Sequence, residues 1–237
     1  MYFDYYILGI ILLPAILFSL YAEIKVKYNF NKYLEVNSTR GIVASDMVRQ
    51  ILNAAGIYDV KVTYINGDPL NNYYDPTKKI IALSYEVYNS STISALGVAC
   101  HEAGHALQYA KGYIPIKLRN AIIPPVNFIS KLLWPVIFVG LLLNLSDPST
   151  VLGSLLLNAG VIFFGASVLI NLLTLPAEYD ASNRAIRILD STGALEGEEL
   201  IGAKKVLRAA GLTYVAALFV SLLNLLRFIM LFRRRRD

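Results

Sequence analysis

Histidine and cysteine are nearly absent: the 237 residues hold two of the first and one of the second. A single cysteine excludes an intramolecular disulfide framework and every cysteine-rich zinc module. Any metal site must therefore come mainly from carboxylates and two imidazoles. Charge is sparse too. Only 16% of residues are charged, where an ordinary soluble domain carries about 25%, while 56% are hydrophobic. That balance excludes disorder, a collagen-like fibre and a typical cytosolic globule. The formal charge of +5 is modest, and Arg233 to Arg236 form one terminal block. The other basic residues are scattered, so no nucleic-acid footprint is present and no nucleic-acid partner is expected.

Present instead are four long apolar runs, each near the ~20 residues that a helix needs to cross the hydrocarbon core. They are Tyr5 to Ala22, Pro125 to Leu145, Val151 to Leu175, and Leu212 to Phe232, the last interrupted by Asn224 and Arg227. The first lacks a basic leader and a small-residue cleavage site, so it reads as a retained span. The organisation expected is a first transmembrane helix at 1–22 and a soluble α+β domain at 23–123. A two-span transmembrane hairpin follows at 124–175, then a soluble helical segment at 176–211. The chain closes with a fourth transmembrane or interfacial helix and basic tail at 212–237.

Within the soluble parts, helical spacing runs from Ser38 to Ala55 and stops at Gly56. Strand-like runs cover Asp59 to Ile65 and Lys79 to Ser84, separated by the turn residues Asn66-Gly67-Asp68-Pro69 and Asp75-Pro76. Ser90, Ser91 and Thr92 offer N-caps for a helix over Ile93 to Ala110, halted by Gly112 and Pro115. Pro176 fits the first turn of a new helix.

That predicted helix carries His101-Glu102-Ala103-Gly104-His105, an H-E-x-x-H sequence that uses both histidines of the chain. Residues four apart share a helix face, so both imidazoles can reach one ion, and the geometry suits zinc. Glu102 lies about 100° further round, beside the open coordination position, where a carboxylate can act as general base. Small Ala103 and Gly104 leave space around the metal.

A catalytic zinc site normally takes three protein ligands. No third histidine exists, and the side chain of Cys100 points about 100° away from the ligand face, which makes it a core residue. Asp147 sits in the five-residue turn of the hairpin, on the far membrane face. The hairpin returns the chain to the face it left, which brings Leu175-Pro176-Ala177-Glu178-Tyr179-Asp180 near the H-E-x-x-H helix. Glu178 is the expected third ligand, and Asp180 is the alternative. For oxyanion stabilisation Tyr179, Tyr109 and Arg184 are candidates. The strand at Lys79 to Ser84 could bind an extended substrate by edge pairing.

HEAGHALQ, the two-span hairpin and E-Y-D-A-S together resemble the YugP-like neutral zinc metallopeptidases, and more distantly the HtpX-type membrane proteases. Tyr73-Tyr74-Asp75-Pro76, Leu118 to Trp134-Pro135, and Leu212-Thr213-Tyr214-Val215-Ala216-Ala217 extend the resemblance over most of the chain. It implies a membrane gluzincin in which one Zn²⁺ is held by His101, His105 and Glu178, with Glu102 as the catalytic carboxylate. One departure is visible: the HtpX-type motif has an aspartate four residues after its ligand glutamate, where this chain has Ser182. The fold class expected is a mainly α-helical integral membrane protein with 3–4 transmembrane helices and a small α+β zincin-like metalloprotease domain.

The corresponding function is zinc-assisted hydrolysis of peptide bonds in peptide or membrane-protein substrates at the lipid bilayer, suited to membrane-protein quality control. Lysine and arginine near the span ends (Lys25, Lys27, Lys32, Lys117, Arg119, Arg184, Arg187) place the soluble parts on the cytoplasmic face of the cell membrane. The arginine block disagrees if the last run crosses fully. Two rivals are a site-2-type intramembrane protease and a non-catalytic zinc-stabilised scaffold. The first needs H-E-x-x-H inside a span, yet residues 91–111 include Glu102, Gln108 and Lys111, too polar to face lipid. The second needs a fourth protein ligand.

Overall fold

The computed structural model describes residues 10–146 and 150–233. The turn residue Asp147, the start of the first apolar run and most of the arginine block lie outside them. Among the described residues seven helices and three short strands occur in the order α1 (Leu13–Leu34), α2 (Ala44–Ala54), β1 (Lys61–Ile65), β2 (Tyr73–Asp75), β3 (Ile80–Ser84), α3 (Tyr85–Tyr88), α4 (Ile93–Ala110), α5 (Ile114–Ser146), α6 (Val151–Ser191) and α7 (Gly197–Arg233). Two compact units share them. One combines Tyr21–Lys117 with Leu175–Thr213, and the other combines the residues up to Leu20 with Leu118–Thr174 and the chain from Tyr214 onward.

The first unit is a mixed α/β body with a conventional core. In α2, Met47, Val48, Ile51 and Leu52 fall on one helical face and are buried, and Gly56, at φ +72°, closes the helix in the left-handed conformation that glycine adopts without strain. The sheet order is β1-β3-β2, with β1 parallel and β2 antiparallel to β3. The middle strand is therefore β3, and Ile81, Ala82, Leu83 and Ser84 are all buried. That overturns the expectation that residues 79–84 offer a free edge: both of its edges are already paired, and the outer strands are β1 and β2.

Helix α4 has the bounds expected from its residues. The Thr92 side chain accepts a hydrogen bond from the Ala95 amide at its start. Most of its faces are buried, because it packs against strands and helices of this unit. The Ser94 hydroxyl donates to the Phe30 carbonyl of α1 at 2.7 Å. Helix α6 differs from expectation: it runs unbroken through Pro176, which sits inside it rather than beginning a new helix. Pro176 removes one backbone hydrogen bond, a loss that helices of apolar proteins absorb through neighbouring groups.

The second unit exposes apolar side chains. On α6, Leu152, Leu155, Ile162, Leu169 and Leu172 stand outward, and on α7 Phe219, Leu222, Leu226 and Met230 do the same. Inside the unit Phe164 packs on Phe228 and Phe18 on Phe219. Among the described residues two helices are long and apolar enough to cross a membrane: Val151–Ser191, and Gly197–Met230 within α7. That is fewer than the 3–4 expected. From Leu13 onward α1 soon meets Glu23, Lys25 and Lys27, while Lys131 and three prolines, Pro124, Pro125 and Pro135, interrupt α5.

Candidate metal centre

His101 and His105 project from one face of α4, as their spacing requires, with ring centroids 4.7 Å apart and planes nearly perpendicular. Helix α6 crosses beside them and delivers Glu178. Its Oε2 lies 3.2 Å from His101 Nε2 and 3.3 Å from His105 Nε2. The three donors lie within 4.8 Å of one another and could hold a metal ion, and among the described residues no fourth His, Cys, Asp or Glu joins them.

The donor set can be tested against zinc. A tetrahedral ion bound at about 2.05 Å holds its donor atoms about 3.3 Å apart, which matches both nitrogen–oxygen separations. The set of two imidazoles and one carboxylate also leaves one coordination position free, as hydrolytic zinc sites do.

Hydrogen bonds fix the imidazoles from behind. Gln108, fully buried, donates through Nε2 to the Ala177 carbonyl at 2.7 Å and to Asp180 Oδ2 at 2.8 Å. Both partners are acceptors only, so the amide cannot be turned round, and its Oε1 must face His105 Nδ1 at 3.0 Å. That oxygen requires a proton on Nδ1 and leaves the lone pair on Nε2, the atom that faces Glu178. On the other ring, His101 Nδ1 lies 3.1 Å from the Ser182 hydroxyl. Ser182, one turn after Glu178 on α6, thus meets the first imidazole from the side away from Glu178. Asp180 does not reach an imidazole. It receives the Gln108 amide and pairs with Arg184 at 2.6 Å.

Glu102 is almost fully buried beside this cluster. Burial raises its carboxyl above the ordinary carboxylate range, against the lowering effect of both imidazoles and of a hydrogen bond from the Tyr74 backbone on β2. Burial also disfavours ionisation of Glu178, but hydrogen bonds and charge from the two imidazoles outweigh it and hold the group below its ordinary range, as an anion. Cys100 lies in the core, where burial pushes its thiol up and makes it a poor ligand.

The three oxyanion candidates part company. Arg184 is committed to Asp180 and stands over the Tyr113 ring, Tyr109 meets Tyr74 edge-on at 5.4 Å, and Tyr179 packs toward Gly211. Sequence reasoning missed Gln108 as a partner of the site. Its position one turn beyond His105, with a polar side chain amid Ala106 and Leu107, was the available signal.

Residues 8–233 match the family described as "putative neutral zinc metallopeptidase". The chain belongs to this family. It is also 45% identical, over 226 residues covering 95% of this chain and 96% of the relative, to the "putative membrane protease YugP" of Bacillus subtilis (strain 168). No solved structure matches the chain significantly. In a zinc metallopeptidase the Glu178–imidazole cluster is a natural seat for the ion, since buried carboxylate and imidazole are zinc's own ligand types.

Proposed function

We propose that this zinc metallopeptidase is a membrane-bound endopeptidase in which His101, His105 and Glu178 hold one zinc ion and Glu102 is the general base. The observation that carries this reading is the convergence of two imidazole nitrogens on one Glu178 oxygen, at 3.2 and 3.3 Å, beside a buried glutamate. When bound there, zinc supplies Lewis-acid polarisation of the scissile carbonyl and eases the deprotonation of water.

The protein's own groups do the rest. Glu102 takes a proton from the attacking water onto a carboxylate oxygen and delivers it to the departing amine nitrogen as the C–N bond breaks. Strand β2 is an outer strand of the sheet, with β3 on one side, and we place an extended substrate backbone along its outer edge. Gln108 and Ser182 orient the two imidazoles.

The exposed apolar faces of α6 and α7 exceed what a water-soluble surface tolerates, and lipid is the partner of that chemistry. On this reading the remaining apolar runs also insert, to give three or four spans, and the lysine and arginine distribution puts the metal centre on the cytoplasmic face. Substrates are membrane-protein or peptide segments in extended form, as in quality control. The scaffold alternative needs a fourth protein ligand that the cluster lacks among the described residues.

The test measures zinc content and casein cleavage in the purified wild type, Glu102→Gln and Glu178→Ala. Glu102→Gln is expected to keep its zinc and lose about 10²- to 10⁴-fold in rate, and Glu178→Ala to lose both. Full proteolysis by a zinc-loaded Glu102→Gln protein would end the assignment.

A further inference from the structure

Behind the His105 ring the hydrogen bonds form a chain that crosses from α4 to α6 and ends on a carboxylate. His105 Nδ1 meets Gln108 Oε1 at 3.0 Å, Gln108 Nε2 donates to Asp180 Oδ2 at 2.8 Å, and Arg184 Nε donates to the same Oδ2 at 2.6 Å. The second Nε2 proton goes to the Ala177 carbonyl at 2.7 Å. Gln108 has no exposed surface. Each of its bonds is therefore made inside the protein, where an unmatched amide proton costs the desolvation of the group.

The two acceptors act differently on this amide. The Ala177 carbonyl sets its sense, turning the NH₂ group toward α6 and Oε1 toward His105. One bond still leaves the amide free to swing about it. Asp180 takes the remaining proton and fixes the plane. Of the two acceptors it alone is charged, through its pairing with Arg184, and a hydrogen bond to an ionised oxygen is roughly twice as strong as a neutral one.

Bonds in such a chain polarise one another when water is excluded. An amide whose NH₂ group is drawn to a carboxylate presents a more negative Oε1. That oxygen keeps the proton on His105 Nδ1 and leaves the lone pair on Nε2, the atom that faces Glu178. Within Ala177 to Asp180, four consecutive residues, α6 thus supplies one member of the metal cluster and both acceptors that orient the residue behind another.

We propose that Asp180 is a positioning residue of the metal centre, which acts through Gln108 to hold the His105 ring in the tautomer and plane that an ion at Nε2 requires. The inference rests on the reading that His101, His105 and Glu178 hold zinc. Its rival is a purely local role for Asp180, the ion pair with Arg184 four residues along α6, which has no bearing on the metal.

The experiment measures zinc affinity of the full chain in detergent by competition with a chromophoric chelator. The proteins are wild type, Glu178→Ala, Asp180→Ala, Asp180→Leu, Asp180→Asn, Arg184→Met, Gln108→Leu and the double variant Gln108→Leu/Asp180→Ala. Melting of the zinc-free proteins checks folding, and Asp180→Leu removes the acceptor without leaving a gap should the alanine variant not fold. Asparagine keeps an oxygen where Gln108 and Arg184 converge, since both are donors there.

Asp180→Ala and Asp180→Leu are expected to bind zinc about tenfold more weakly. Asp180→Asn, which keeps the acceptor and loses the ion pair, should stay within about threefold of wild type, as should Arg184→Met. In the Gln108→Leu background, removing Asp180 should change the affinity by less than about twofold, because the route to His105 is already cut. Wild-type affinity in both Asp180→Ala and Asp180→Leu would overturn the proposal. So would a loss in Asp180→Asn or Arg184→Met as large as in Asp180→Ala, which is the signature of the ion pair, or a full further loss in the double variant. Failure of the wild type to bind zinc, or undiminished binding by Glu178→Ala, would instead remove the metal-centre reading and this inference with it.

Discussion

A Cβ placed on Gly104 would lie 2.7 Å from the carbonyl oxygen of Ala181 and 3.2 Å from its Cα. The glycine in HEAGH therefore does not serve mainly to leave room for a metal, as its sequence position suggests. It lets the backbone of α6 lie directly on α4, and that contact sets Glu178, one turn earlier on α6, against the two imidazoles.

Gly104→Ala should force the helices apart. Overpacking costs about 1–3 kcal/mol, against about 1 kcal/mol gained in helix propensity, so the melting temperature should stay level or fall. Zinc affinity should drop about tenfold or more as Glu178 moves off. Calorimetry and a competition titration with a chromophoric chelator read both quantities. A variant that melts higher and binds zinc as before would show that the close approach is not required.

Gln108 should matter more to the metal than its distance from the chemistry suggests. Gln108→Leu removes the acceptor that sets the His105 tautomer and takes one donor from the Ala177 carbonyl and one from the Asp180 carboxylate, which keeps Arg184. The expected result is about 10- to 100-fold weaker zinc binding, with Ser182→Ala, which loses one hydroxyl contact, less affected. The same titration ranks the two, and an unaltered Gln108→Leu affinity would contradict the orientation argument.

Chelation provides a thermodynamic reading. An ion held only by the native state stabilises it by about 4 kcal/mol at a thousandfold excess over its dissociation constant. Treatment with EDTA should lower the melting temperature of wild type and hardly move that of Glu178→Ala. A chelator shift of equal size in both proteins would place the stabilising ion elsewhere.

The lone cysteine makes orientation easy to test. Cys100 is fully buried in the core and its thiol is held protonated, so it should be silent to membrane-impermeant maleimides. Tyr58, 78% exposed in the unit that carries the metal centre, can be replaced by cysteine without disturbing packing. Tyr58→Cys should stay unlabelled in intact cells and react in inverted vesicles. Labelling from outside would reverse the topology.

The elements that the residues foretold best are those with strong periodic signals and clear ends. Helix α4 has its cap at Thr92 and its stop at Gly112, and the H-E-x-x-H spacing fixes which face both histidines share. A turn too short to do more than reverse the chain leads one to expect Glu178 near the histidines, and its Oε2 does lie against both imidazoles.

Strand β2 was hidden because three residues ending in Asp75-Pro76 read as a turn, and only pairing with β3 makes them a strand. Its neighbour β3 looked like a substrate edge because an isolated run of β-formers does not reveal which partners it will find. Pro176 looked like a helix start because its local preference is strong, yet packing on α4 carries the helix through it. The role of Gln108 depended on acceptors nearly 70 residues away in sequence.

Glu178, Ala181 and Ser182 come from little more than one turn of α6, so the carboxylate, the backbone that Gly104 admits and the hydroxyl beside His101 share one stretch of helix. A residue inserted or deleted between Glu178 and Ser182 would turn one against the other by about 100°, where a loop would have absorbed the change. This turn can be rewritten in letters more easily than in length, because its spacing is part of the metal centre.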